Sequence, residues 1–482
     1  MKNLKNPDSV QHQTPFLNAL KQQSQRLNAA FYLPGHKQGR GISKLLKNWW
    51  GNTVFQADLP ELPELDNLFN PDGVIQEAQH LAADAFGASQ TWFLANGSTT
   101  GIIAAILATC SPGDKILLPR NVHKSVISGT ILAGAVPIFV ETEYHPHWNI
   151  ALKTTPETLE FALNQHSDIC AVLVVSPTYH GVCSDIEAIS QLCHRRNLPL
   201  IVDEAHGAHF HFHPNFPKSA LDADADIVVQ STHKTLSALS QASMLHLKGN
   251  RVEAKRIDRA LSFVQSTSPN ALLLASLDTA RHQIATEGFD LLQQTLTLAK
   301  LARQRLSQLP DLEIFETSPP FDTTRLTVSV ANWGFTGYTA DESLHEQFGV
   351  TCELPELQHL TFAITLGNSL EDIDRLVRGF DSLRRLPHNT EPVSSVTFPP
   401  IPLLALSPRD AHFSATETVP LQHSIDRICA EIVCPYPPGI PALIPGERIS
   451  AASISYIEKI VKFGGSITGL AAGTEPRLTV VA

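Results

Sequence analysis

Apolar positions in the first half of the chain switch repeatedly between two periods. Val74 to Phe86 carries them at helical spacing, Gln90 to Leu94 is a short apolar run, and Thr99 to Ala108 returns to a helix. A strand over Lys115 to Leu118, a helix over His123 to Ala133 and a strand over Val136 to Val140 follow. Pro156 to Leu163, Ala171 to Val175, Asp185 to Arg195 and Pro199 to Asp203 continue as helix, strand, helix and strand. Two short apolar runs, Leu198-Pro199-Leu200-Ile201-Val202 and Ile227-Val228-Val229 before Gln230, read as strands buried on both faces. Strands alternating with helices predict an α/β fold with a doubly wound, mostly parallel sheet and right-handed crossovers.

Past Lys234 the pattern changes. Met244 to Leu247 predicts one more strand, followed by helices over Arg251 to Ser262 and Ala271 to Leu306. Residues Ile314 to Thr365 are strand-rich around a helix from Tyr338 to Phe348, and Leu370 to Leu386 is helical. Pro392, Pro399, Pro400 and Pro402 mark a linker. The expected organisation is an amphipathic N-terminal arm over 1–30, a large domain over 31–300 and a small α+β domain over 301–390. A linker over 391–406 then leads to a C-terminal domain over 407–482.

Composition narrows the function. With 482 residues, 43% of them hydrophobic, the chain fits a large globular protein. Its net charge of −11 is spread along the sequence, and no basic stretch would track a phosphate backbone, which argues against nucleic acid as partner. Its apolar stretches are too short for a membrane span, and the polar N-terminus lacks the apolar centre of a signal peptide. The seven cysteines are scattered without a CxxC pair, which suits a reducing cytoplasm.

Chemistry gathers where strands end, the edge at which open α/β sheets bind ligands. Asp203 closes one apolar run, in Val202-Asp203-Glu204-Ala205-His206, and Ser231-Thr232-His233-Lys234 follows the next. A lone lysine there is usually solvated, and a lone aspartate is often only a helix cap. Together they suit pyridoxal phosphate: the amine bonds the cofactor aldehyde while the carboxylate keeps the pyridine nitrogen protonated. Asn96-Gly97-Ser98-Thr99 opens a helix whose N–H groups could take a phosphate, although a plain N-cap looks the same. His123 begins a helix where its ring could stack on a flat cofactor, and Ser176-Pro177-Thr178-Tyr179-His180-Gly181 closes another strand. His206, His209, His211 and His213 lack the spacing of a metal motif, so no metal is expected.

These motifs, with Pro34-Gly35-His36-Lys37-Gln38-Gly39 before them and Pro435-Tyr436-Pro437-Pro438-Gly439 after them, occur in an order that resembles the ornithine/lysine/arginine decarboxylases. The resemblance runs from about residue 28 to about residue 475 and implies the aspartate aminotransferase fold (fold type I) with pyridoxal phosphate. It implies loss of the α-carboxylate of arginine, lysine or ornithine as carbon dioxide, giving agmatine or a diamine for polyamine metabolism. Lys234 matches the Schiff-base lysine and Asp203 the partner of the pyridine nitrogen. Ser98 and Thr99 match the phosphate loop, supplemented by Ser231 and His233. His123 matches the ring-stacking residue, His206 the second ring contact and Thr178 a polar contact at the ring edge. Ser266 and Thr267 match a stretch reaching the phosphate of the neighbouring subunit, which implies a homodimer. The Pro-Gly-His-Lys motif already near residue 34 leaves no room for the wing that builds decamers, so a dimer or a dimer of dimers is expected. Lys234 and His206 are the expected proton donors at Cα.

A basic substrate also needs an acid for its distal cation. Glu353, Glu64 and Asp66 are candidates, and Glu447, in the domain expected to wall the substrate's way in, is a fourth. Each is otherwise a solvated or structural carboxylate. An aminotransferase or another pyridoxal-phosphate lyase of the same fold would share Lys234 and Asp203. A non-catalytic regulator that binds the cofactor is a further alternative.

Overall fold

The computed structural model describes residues 10–26, 28–387, 393, 396–435, 439–471 and 475–482. The seven strands of the central sheet are β1 (Gln90–Leu94), β2 (Lys115–Pro119), β3 (Val136–Val140), β4 (Ile169–Val175), β5 (Leu200–Asp203), β6 (Ile227–Gln230) and β7 (Ser243–Leu247). The sheet is mostly parallel, as the alternation of strands and helices predicts. Packing divides the chain differently from its linear segmentation: one compact unit holds residues 1–108 and 201–292, the other 109–200 and 293–482.

In the first unit the strands run β1-β7-β6-β5. β5 and β6 are parallel, with Asp203 opposite Val229, whereas β7 is antiparallel to both β6 and β1. β1 and β6 therefore point the same way, so their carboxyl ends share an edge. The Gly97–Thr109 helix packs closely on this sheet. A Cβ on Gly101 would come within 2.7 Å of Leu94 and 2.8 Å of Val229, so only glycine fits.

The N-terminal arm is docked through a helix over Pro15–Ser24, with Phe16 and Leu20 buried. Asp278, on the long Ala271–Leu306 helix, accepts the amides of Phe16 and Leu17, and Arg281 donates to the carbonyls of Gln11 and Gln13. Asp278 and Arg281 are themselves an ion pair at 2.5 Å with no exposed side-chain surface.

In the second unit β4-β2-β3 are parallel neighbours. A further sheet, in the order β10-β11-β9-β8, contains β8 (Glu313–Ile314), β9 (Arg325–Ser329), β10 (Leu354–Pro355) and β11 (His359–Ala363). Its core takes Leu326, Val328, Leu360 and Phe380, joined by residues of the Gly337–Phe348 and Leu370–Leu383 helices. A capping box at Ser369 and Asp372 starts the second of these helices. The last short strands are β12 (Thr416–Pro420), β13 (Cys434–Pro435), β14 (Ile467–Thr468), β15 (Leu470–Ala471) and β16 (Arg477–Val481). They fold with the Ala451–Lys462 helix around a core containing Val433, Ile454, Ile457 and Leu478. Pro392 and part of the expected linker lie outside the described residues.

Candidate active site

In the first unit, the carboxyl ends of β1, β5 and β6 bring several of the expected residues together. Asp203 is the last residue of β5, 5% exposed, and its carboxylate accepts the Ala205 amide. Burial pushes its pKa up, opposed by the nearby charge of Lys234 and by the Ala205 hydrogen bond. Lys234 sits in a short helix, Thr232–Thr235, directly after β6, and its Nζ lies 3.0 Å from Nε2 of His206. Ser231 Oγ donates to Ser98 Oγ at 2.7 Å, which brings the segment after β6 to the N-terminus of the Gly97–Thr109 helix. Thr99 is exposed in the first turn of that helix. His233 lies with Nδ1 2.9 Å from the Ala242 carbonyl. The Ser266 amide donates to Asn96 Oδ1, which fixes that stretch beside this chain's own Ala95–Asn96 turn, while the Ser266 and Thr267 side chains are exposed.

Pyridoxal phosphate fits this set of groups. An amine, a buried carboxylate, and serine hydroxyls at a helix N-terminus match its aldehyde, its ring nitrogen and its phosphate in turn. Thr232 Oγ1, within the same segment, is buried with no hydrogen-bond partner among the described residues.

Behind Asp203 lies a polar chain that the sequence does not announce. Glu204 accepts from the Ala220 amide and from the Gln230 side chain, both at 2.7 Å. Gln230 meets Nε2 of His246 at 3.1 Å, and His246 Nδ1 lies 2.8 Å from the Thr91 hydroxyl. Burial pushes the Glu204 carboxyl up to about 8 and the His246 imidazole down to about 3. Both are therefore neutral near pH 7. The signal in the sequence is slight: single polar residues, Gln230 and His246, set beside apolar runs.

In the second unit, His123 and Thr178 follow β2 and β4. His123 caps the Lys124–Ala133 helix, with Nδ1 accepting the Ser125 amide. Gly439, at φ +89°, closes against its ring, where a Cβ would stand 3.0 Å from Cδ2. Tyr436, Pro437 and Pro438 of that motif lie outside the described residues. Thr178 is buried, with Oγ1 accepting the Val182 amide. Asn121 and Thr178 line a cavity with Tyr144, His180, Glu356 and Tyr456.

The expected substrate acids fare differently. Asp66 accepts amides of Asn67, Asp72, Gly73, Ile75 and Gln76, which hold its pKa down against the effect of burial. It anchors the start of the Val74–Phe86 helix and has no free oxygen to offer a substrate. Glu447 is fully buried, accepts the Ile444 amide at 2.9 Å and pairs with Arg120 at 3.3 Å. Arg120 in turn donates to the Pro441 and Ala442 carbonyls, while Glu447 Oε1 is buried with no hydrogen-bond partner among the described residues. Glu64 pairs with Arg26 at the surface. Glu353 is exposed beside a different cavity, with Asp372 and Arg375. The histidine run does not converge: His211 pairs with Asp222, and His213 stacks on Phe289.

Comparison with known proteins gives a consistent picture. Residues 14–371 match the description "Orn/Lys/Arg decarboxylase, major domain", and residues 394–475 match the C-terminal domain of the same family. The chain is 41% identical over 469 residues to the arginine decarboxylase of Bacillus subtilis (strain 168), covering 95% of this chain and 96% of that one. It is 39% identical over 484 residues to the arginine decarboxylase of Halalkalibacterium halodurans, covering 98% of each. The lysine decarboxylase LdcF of Francisella novicida superposes with a TM-score of 0.87 at 22% identity, covering 98% of this chain and 82% of that one, which shows a shared fold.

Proposed function

The chain belongs to the Orn/Lys/Arg decarboxylase family and is a decarboxylase of basic amino acids, and from that premise we propose that it uses pyridoxal phosphate to convert arginine to agmatine and carbon dioxide. The observation that carries this is the shared edge where Lys234, Asp203, His206 and the Ser98–Ser231 pair meet. Preference for arginine is supported by relatives near 40% identity that are named for it.

Bound there, pyridoxal phosphate supplies an electron sink for the pair left behind when the α-carboxylate departs. Lys234 would hold its aldehyde, and Ser98, Thr99, Ser231 and His233 its phosphate, with the dipole of the Gly97–Thr109 helix favouring the anion. Asp203 would hold the ring nitrogen, whose proton offsets the cost of burying the carboxylate. His206, 3.0 Å from Lys234, can pass a proton to that amine or take one from it. Either group can then donate to Cα after carbon dioxide leaves, and that protonation separates an amine product from a keto acid. Ser266 and Thr267 of a second copy would complete the phosphate site in a cytoplasmic homodimer.

Incubating the coenzyme-loaded chain separately with arginine, lysine and ornithine tests this. Agmatine formed at the highest kcat/KM is the expected result. Cadaverine or putrescine as the main product would reassign the substrate, and keto-acid formation without carbon dioxide would refute decarboxylation.

A further inference from the structure

Three side chains of the second unit converge without a part in the scheme above. His180 lies in the turn after β4, and Glu356 and His359 flank the turn between β10 and β11. His180 Nε2 and His359 Nδ1 lie 2.7 and 3.1 Å from the same Glu356 oxygen. All three ligand atoms fall within 4.8 Å of one another, and both imidazoles are buried. Such spacing suits either a network of ion pairs or neighbouring ligands of one cation, since atoms about 2.0–2.2 Å from a metal stand about 3 Å apart.

His359 separates the two arrangements. Its Nε2 lies 3.1 Å from the Trp148 carbonyl, which can only accept, so Nε2 carries the hydrogen. In the neutral ring, Nδ1 is then a lone pair facing a carboxylate. It is buried and makes no aligned hydrogen bond, although Glu356 is 3.1 Å away. A protonated ring would aim its N–H at that oxygen, and two bare lone pairs side by side repel. A cation on their shared side satisfies both atoms. The Trp148 carbonyl behind the ring is the kind of outer partner that fixes the tautomer of metal-bound imidazoles.

We propose that His180, Glu356 and His359 bind a divalent transition-metal ion of the class that accepts imidazole and carboxylate together, with Zn²⁺ the simplest case. The ion clamps the turn after β4 to the β10–β11 hairpin. His180 and Glu356 also line the cavity shared with Asn121, Tyr144 and Tyr456, so a water or small ligand has room to take a fourth position.

The test uses the coenzyme-loaded full chain, expressed without a histidine tag, treated with chelator and dialysed. Co²⁺ is titrated in and followed by its ligand-field absorption, with metal content measured after gel filtration. One Co²⁺ per chain, displaced by Zn²⁺, is expected. The affinity should fall by about 100-fold in His359→Ala and in Glu356→Gln, the scale of losing a ligand or its support. His211→Ala, in the separate histidine run, should bind as the unaltered chain does. No uptake by the unaltered chain, or uptake undiminished in His359→Ala and Glu356→Gln, overturns the site. Should those variants fail to fold, melting of the unaltered chain decides. A higher melting temperature with Zn²⁺ than with chelator supports the clamp, and equal temperatures overturn it.

Discussion

Lys234 and Asp203 are placed by different means. Asp203 is fixed by strand register: it ends β5 opposite Val229, in a sheet interior where an unpaired carboxylate is costly. Lys234 owes its position to the short helix after β6, one turn long, with His206 as its neighbour. Replacing Asp203 with Asn preserves volume and removes the charge proposed to keep the ring nitrogen protonated. Turnover should fall on the order of 100-fold or more with thermal stability retained, as expected on loss of an electrostatic partner. An unchanged kcat would remove Asp203 from the site. Lys234→Ala should lose the visible absorption of the coenzyme-bound chain along with its activity, as a spectrum and a carbon dioxide assay would show. The positions of both were legible in the sequence because each follows an apolar run. The partners of Asp66 and Glu447, backbone amides and Arg120, were not legible because they leave no local trace.

At the scale of elements, the reading was most faithful where hydrophobic period and chain punctuation agree. The helices Val74–Phe86 and Ala271–Leu306 and the strands Gln90–Leu94 and Val136–Val140 have the bounds their patterns predict. The antiparallel course of β7 was not legible, because an apolar run carries no direction. Nor was the docking of the arm, which depends on a buried ion pair far along the chain. Asp278→Ala would strand Arg281 in the interior and leave the Phe16 and Leu17 amides without their acceptor. The expected cost is about 3–5 kcal/mol, measurable by denaturant unfolding. A change below about 1 kcal/mol, the scale of an exposed pair, would mean that the arm is not held this way.

For the whole molecule, the buried chain from Glu204 to His246 gives stability a particular dependence on pH. The folded Glu204 pKa is raised to about 8, so the folded state holds a proton that the unfolded chain has lost above its ordinary value of 4.5. That contribution shrinks as pH rises from 4.5 towards 8. His246, lowered to about 3 from 6.5, acts in the opposite direction: its contribution is full above 6.5 and is lost as pH falls towards 3. The two oppose each other between pH 4.5 and 6.5, and above 6.5 only the Glu204 effect remains. The Glu204 contribution to the unfolding free energy should therefore drop by about 2 kcal/mol between pH 6.5 and 8. Glu204→Gln should flatten that slope, and an unaltered slope in the variant would exclude Glu204 as its source.

The most direct measurement reduces the coenzyme-loaded chain with borohydride and maps the modified peptide by mass spectrometry. A pyridoxyl phosphate adduct on Lys234 alone, formed in one-to-one ratio with the chain, is the expected result. An adduct on another lysine, or none while decarboxylation persists, would contradict the account.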